Sequence, residues 1–127
     1  MENFTSLLSL KNIGIFSGIT ALLLFFSYIS NASASDIAES TTVKNWISKG
    51  ALIVDVRTPQ EFNSGNYKGS INIPLAELEK NLNLLGDKDR LIVVYCRSGN
   101  RSGQAKLILE KHGYKNILNG GAFVNMP

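Results

Sequence analysis

The amino-acid sequence predicts an α/β domain with a four- or five-stranded, mainly parallel sheet and helices on both faces. Three observations carry this expectation. The runs 51–56 and 91–95 are apolar without alternation and rich in β-branched residues, as strands buried on both faces require. The second run passes through a polar turn, 96–100, directly into 104–110, which combines helical periodicity with strong helix formers. Between the two runs, apolar residues at 75, 78, 82 and 85 make a helical stripe that can pack on a sheet. Strands that alternate with helices in this way form a layered sheet, and its site lies at the carboxyl ends of the strands.

Residues 1–34 read as separate from this domain. There is no charge from 12 to 34, Lys11 precedes the apolar centre, and Ala32-Ser33-Ala34 supplies the small residues of a cleavage site. The expectation is a signal peptide over 1–34, a single mature domain over 35–127 beginning at Ser35, and a periplasmic or otherwise extracytoplasmic location. A retained membrane anchor is the alternative, because the run approaches the roughly 17 to 25 residues that span a bilayer. Only then is the membrane a partner. The net charge of +3 is mild and scattered, with no basic run, which argues against nucleic-acid binding and favours small anionic substrates.

The mature chain opens on a short helix around Val43-Lys44-Asn45-Trp46-Ile47, with a Ser or Thr cap before it, Gly50 to end it and Trp46 as a lid on the core. The strand 51–56 follows, with Asp55 at its carboxyl end, where the side chain can bond the helix start at Thr58-Pro59-Gln60-Glu61. A polar, glycine-punctuated loop, 63–70, leads to a brief strand, 71–73, stopped by Pro74. The helical stripe comes next, and 86–89 is a surface turn. His112, at the end of the 104–110 helix, is a partner for its C-terminal dipole. Residues 114–118 read as the last strand, and Asn119-Gly120-Gly121 as a loop close to the site.

The chemistry concentrates at the turn 96–100. Cys96 is the only cysteine and stands where the strand ends and the helix begins. Backbone N–H groups of such a turn and of the first helical turn have no partners within the helix and converge on an anion. Arg97 and Arg101 add permanent cations, while Ser98, Gly99 and Asn100 are small enough to let backbone approach a ligand. Together these features favour a thiolate, lowering its pKa from about 8.5 into the range of roughly 3.5 to 7.5. A small buried structural cysteine is the competing reading, but it does not call for these neighbours. For Arg97 the alternative is a solvated surface position; Arg101, at the helix start, is expected to face inward.

Cys96-Arg97-Ser98-Gly99-Asn100-Arg101-Ser102 resembles the active-site loop of rhodanese-like domains, the thiosulfate:cyanide sulfurtransferases. Leu52-Ile53-Val54-Asp55-Val56-Arg57, with Glu61-Phe62 after it, Gly69-Ser70-Ile71-Asn72-Ile73-Pro74 and Gly120-Gly121 agree with that family. Ser102-Gly103-Gln104-Ala105-Lys106 and the short N-terminal lead are similar in particular to its small secreted single-domain members of the phage-shock type. The resemblance implies that Asp55 braces an arginine or loop amides near the site, with Arg57 and Glu61 as further support. The chain departs from the family in two places. Asn66 or Tyr67 stands where many members have a histidine, and no tryptophan follows the paired glycines.

The resulting expectation is a sulfurtransferase with Cys96 as nucleophile. Arg97, Ser98, Gly99, Asn100 and Arg101 would bind a small anionic sulfur donor such as thiosulfate, and cyanide or a thiol would accept the sulfur from a Cys96 persulfide. No metal and no cofactor are implied. Four residues separate Cys96 from Arg101, against five in the related phosphatases, so a phosphatase or arsenate reductase is the lesser enzymatic alternative. A sulfane-sulfur or redox-binding module is the non-enzymatic one.

Overall fold

A computed structural model of the chain describes residues 37–127; the expected signal peptide or anchor at 1–34 lies outside the described residues. Helix α1 (Ser40–Ser48) buries Val43, and its N-cap is Glu39, with no side-chain cap bond. The expected Ser or Thr cap is thus replaced by backbone alone: Thr42 and Val43 N–H donate to the Glu39 carbonyl. Strand β1 (Leu52–Asp55) leads to α2 (Pro59–Asn63), a short helix with the full set of start signals. Thr58 Oγ1 accepts from the Glu61 amide, the Thr58 amide donates in turn to the Glu61 carboxylate, and Pro59 occupies the first turn, where its missing N–H costs nothing.

Strand β2 (Ile71–Asn72) ends just before Pro74, as its ring requires. The apolar stripe at 75, 78, 82 and 85 faces the core, with Leu78 and Leu85 buried and Leu75 and Leu82 packed beside them. Its backbone, Leu75–Leu85, is 3₁₀ rather than α, in two pieces joined at a non-helical Asn81. The steps of three from 75 to 78 and from 82 to 85 suit the tighter helix, in which i and i+3 eclipse.

Strand β3 (Leu91–Cys96), helix α3 (Asn100–Lys111) and strand β4 (Asn116–Ala122) complete the sheet, and a 3₁₀ turn, Phe123–Asn125, follows. The four strands are all parallel, in the order β2-β1-β3-β4. The two central strands are the two apolar runs. One core layer gathers Val54, Val56, Ile92, Val94 and Ile117 under Leu78, Leu85, Ala105 and Leu109, which come from the 3₁₀ segment and α3. Alternate β3 residues, Val93 and Tyr95, turn to the opposite face and are fully buried, and α1 packs against β3 and β4.

One boundary differs from the sequence reading. Asn119, Gly120 and Gly121 are not a loop but the second half of β4. Glycine at 120 is a matter of space, since a Cβ there would lie 2.8 Å from Met126 Sδ and 3.0 Å from Val93 Cγ1. Gly121, at φ +79°, sits where the β3/β4 register slips by one residue. Beyond β4 the backbone of Ile37 makes one further parallel bridge, to Asn119.

Candidate active site

Cys96 is the last residue of β3, and its side chain is completely buried. Its sulfur accepts the Gly99 backbone N–H at 3.0 Å and the Ser102 hydroxyl at 3.4 Å. Gly99 is the N-cap of α3 at φ +94°, a left-handed conformation that glycine adopts without strain and that turns its N–H back toward the strand end. Burial pushes the Cys96 thiol upward, but the Ser102 hydroxyl and the backbone N–H groups of Ser102, Ser98 and Gly99 outweigh it. The net effect holds the thiol below its ordinary value, favouring the thiolate.

The two arginines of the loop behave differently. Arg101 is half-buried and donates from Nη1 and Nη2 to both carboxylate oxygens of Glu61, at 2.7 and 2.8 Å. That fork, with the Thr58 amide also on Glu61, holds the Glu61 carboxyl at about 2. Arg101 also feels the negative charge of Cys96, which raises its own pKa together with the larger effect of Glu61. Arg97 is exposed and lines a cleft of about 430 Å³ with Arg57, Gln60, Glu61 and Ser64. Ser98 is exposed and offers its amide, while the Asn100 side chain accepts from Gln104 Nε2 at 2.9 Å instead of turning to the sulfur.

Asp55 does not bond the α2 start, whose cap is Thr58. Both its oxygens hold Arg57, with Nη2 at 2.6 Å and Nε at 2.9 and 3.0 Å, and Oδ1 also accepts the Arg57 amide. The pair is buried, and Arg57 lies over the Phe123 ring, 4.7 Å from its centroid. Arg57 further donates to the Gly65 carbonyl at 2.6 Å, tying the 63–70 loop to the end of β1.

The model of the rhodanese-like domain family matches residues 39–123. The chain belongs to the rhodanese-like family. It is 41% identical over 77 residues to the thiosulfate sulfurtransferase PspE of Escherichia coli, covering 58% of this chain and 74% of that one. A putative mitochondrial thiosulfate sulfurtransferase of Schizosaccharomyces pombe is 33% identical over 130 residues, covering 93% of this chain and 80% of that protein. Among solved structures, a rhodanese with anions from E. coli superposes with a TM-score of 0.58 at 37% identity, over 61% of this chain and 95% of that one.

Two residues at this site are named in the sequence reading without a role. Ser102 is one, and a signal for it exists: with Ala105 and Leu109 it makes the buried stripe of α3, so a hydroxyl on that stripe nearest the turn has to face the strand end. Asn119 is the other. It is buried, donates from Nδ2 to the Gly99 carbonyl at 3.1 Å and accepts the Gly121 amide at 3.0 Å. The bond to Gly121 is a local one, two residues on, but the contact with Gly99 is twenty residues away and is reached only through the β3/β4 pairing. His112, by contrast, lies at the far end of α3, with its ring 3.0 Å from Glu79 and its carbonyl accepting from Lys88 Nζ.

Proposed function

We propose that this chain is a sulfurtransferase that carries the outer sulfur of a small anionic donor, such as thiosulfate, through a Cys96 persulfide to cyanide or a thiol. The observation that carries this reading is the lone thiol held on the Gly99 amide and the Ser102 hydroxyl at the start of α3. Relatives named as thiosulfate sulfurtransferases support thiosulfate as donor. In the first step the Cys96 thiolate attacks the outer sulfur, the S–S bond of thiosulfate breaks, and its electron pair leaves with sulfite. In the second, the acceptor attacks the terminal sulfur and the pair returns to Cys96, releasing thiocyanate when the acceptor is cyanide.

Neither step moves a proton when cyanide is the acceptor, so a site made of N–H donors and cations suits the reaction. The donors that hold the thiolate can also hold a terminal persulfide, and one such donor is worth about 3 kcal/mol. Because Cys96 is covered by its own loop, a slender terminal sulfur reaches it more readily than a phosphate ester. Arg97, exposed on the neighbouring cleft, supplies positive charge for the donor's sulfonate end, while Arg57 is held by Asp55 beneath it. The purified protein is expected to form thiocyanate from thiosulfate and cyanide, and Cys96→Ser to abolish this with the fold intact. A wild type that gains one sulfur atom from thiosulfate but forms no thiocyanate would instead favour the binding module, and hydrolysis of aryl phosphates without a persulfide the phosphatase.

We also infer that residues 1–34 are a signal peptide and that the mature protein is periplasmic or otherwise extracytoplasmic, which the Ala32-Ser33-Ala34 site supports. Among the described residues no helix is long and apolar enough to cross a membrane. N-terminal sequencing from the native host should begin at Ser35; a membrane-bound form beginning at Met1 would favour the anchor.

A further inference from the structure

The residues that shape the sulfur site extend beyond the loop itself. Gly99 supplies the N–H at 3.0 Å from Cys96 Sγ, and its carbonyl is held from the other side by Asn119 Nδ2 at 3.1 Å. Asn119 is itself fixed at both ends: its Oδ1 accepts the Gly121 amide, and its carbonyl accepts the Ala38 N–H at 2.8 Å. The Ala38 bond brings Ile37 across the edge of β4. There the Ile37 side chain lies directly on the two positive-φ glycines of the site. A Cβ on Gly99 would stand 2.6 Å from Ile37 Cδ1, and one on Gly121 2.8 Å from Ile37 Cγ2.

Ile37 and Ala38 precede the residues matched by the family model, which begin at 39. Ile37 is 44% exposed, so core burial alone does not account for its position; what its side chain covers is the pair of glycines.

We propose that Ile37 and Asn119 are positioning residues that act through Gly99, holding its backbone N–H on the Cys96 sulfur. Asn119 fixes the far side of the Gly99 peptide, and Ile37 closes the space into which that glycine could swing. A glycine at a helix N-cap otherwise has wide conformational freedom, and a hydrogen bond to a charged acceptor needs its donor held in line. The proposal bears on the Cys96 thiolate whether or not the protein transfers sulfur, so its test can fail separately from the functional reading.

The test titrates the full-length chain by the ultraviolet absorbance of the thiolate, with Cys96→Ser as the blank. Cys96 is the sole cysteine, so the signal belongs to it alone. Ile37→Ala and Asn119→Ala are each expected to move the midpoint upward, leaving about three- to tenfold less thiolate on the acid side. Ile37→Leu should restore most of the wild-type titration, and Leu84→Ala, an exposed residue on the 3₁₀ segment, should not change it. The charged groups of the site, Arg101 with Glu61 and Arg57 with Asp55, are the same in every variant. A purely structural role would lower the unfolding temperature and leave the midpoint in place; that result for Ile37→Ala overturns the proposal, even where Asn119→Ala fails to fold.

Discussion

Arg101 and Glu61 stand forty residues apart in the chain and meet in a two-pronged ion pair, with N–H···O distances of 2.7 and 2.8 Å. The pair joins the first turn of α3 to the short helix after β1. Glu61 has a second task there, since it closes the capping box of α2 with Thr58. One carboxylate thus fixes the direction of a loop cation and the start of a helix. Arg101→Ala should slow the loading of Cys96 by thiosulfate more than tenfold, and Lys106→Ala, whose ammonium pairs with Glu110 further along α3, should have little effect. Loading is read as the mass of one added sulfur, removable by cyanide.

The same pair makes stability depend on acidity. The Glu61 carboxyl is held at about 2, below its ordinary 4.5, chiefly by Arg101 and then by the Thr58 amide. Its contribution is therefore complete above about pH 4.5 and is lost as the pH falls through that value toward 2. Urea unfolding across this window should show the loss in wild type, on the order of 1 kcal/mol for a partly exposed pair, and a flatter profile in Glu61→Gln.

Ser102→Ala removes the hydroxyl donor on the thiolate. The Cys96 thiol should then titrate higher, because the burial that opposes ionisation is unchanged while one donor is gone. In a pH profile of kcat/KM for thiosulfate, the acid limb should move upward, with about three- to tenfold less activity on that limb and a smaller change on the alkaline plateau. An unshifted acid limb would mean that the hydroxyl does not hold the reacting sulfur.

Asp55→Asn should be among the most destabilising single changes at the site. It leaves a buried Arg57 without its counter-charge, at a cost of about 3 kcal/mol or more. For a domain of this size that is a drop in unfolding temperature of more than about 10 °C. Thermal unfolding followed by circular dichroism measures it.

Gly120 in β4 and Gly113 in the turn after α3 separate two reasons for glycine. Gly120→Ala places a methyl against Met126 and Val93 and should cost about 1–3 kcal/mol, a packing effect. Gly113→Ala meets open space but must hold φ near +88°, so its cost, about 1 kcal/mol, is conformational alone. Chemical denaturation of the two variants tests the order.

The fold was legible because its two central strands are unbroken apolar runs and because Cys96 stands between a strand and a helix. Sequence could place the cysteine at that turn since strand, turn and helix are all written in neighbouring residues. It could not place Asn119, Gly120 and Gly121, because glycine is a local signal for a loop, whereas here its small size answers crowding from Val93 and Met126. The helical stripe at 75–85 was legible in its buried face but not in its 3₁₀ winding, since both helices bury residues three apart. Nor does the local pattern of residues 58–61 say that Glu61 reaches Arg101 as well as the Thr58 amide.

The complete burial of Cys96 has a consequence for how the molecule behaves toward its own copies. A disulfide needs two sulfur atoms at about 2.05 Å, each with its Cβ turned toward the other. Here the sulfur lies beneath its own turn, so two folded molecules cannot join through it without dismantling both loops. A solution of this protein exposed to air should therefore stay free of covalent dimers, and any cross-linked band on a non-reducing gel would measure the fraction of chains that have come unfolded.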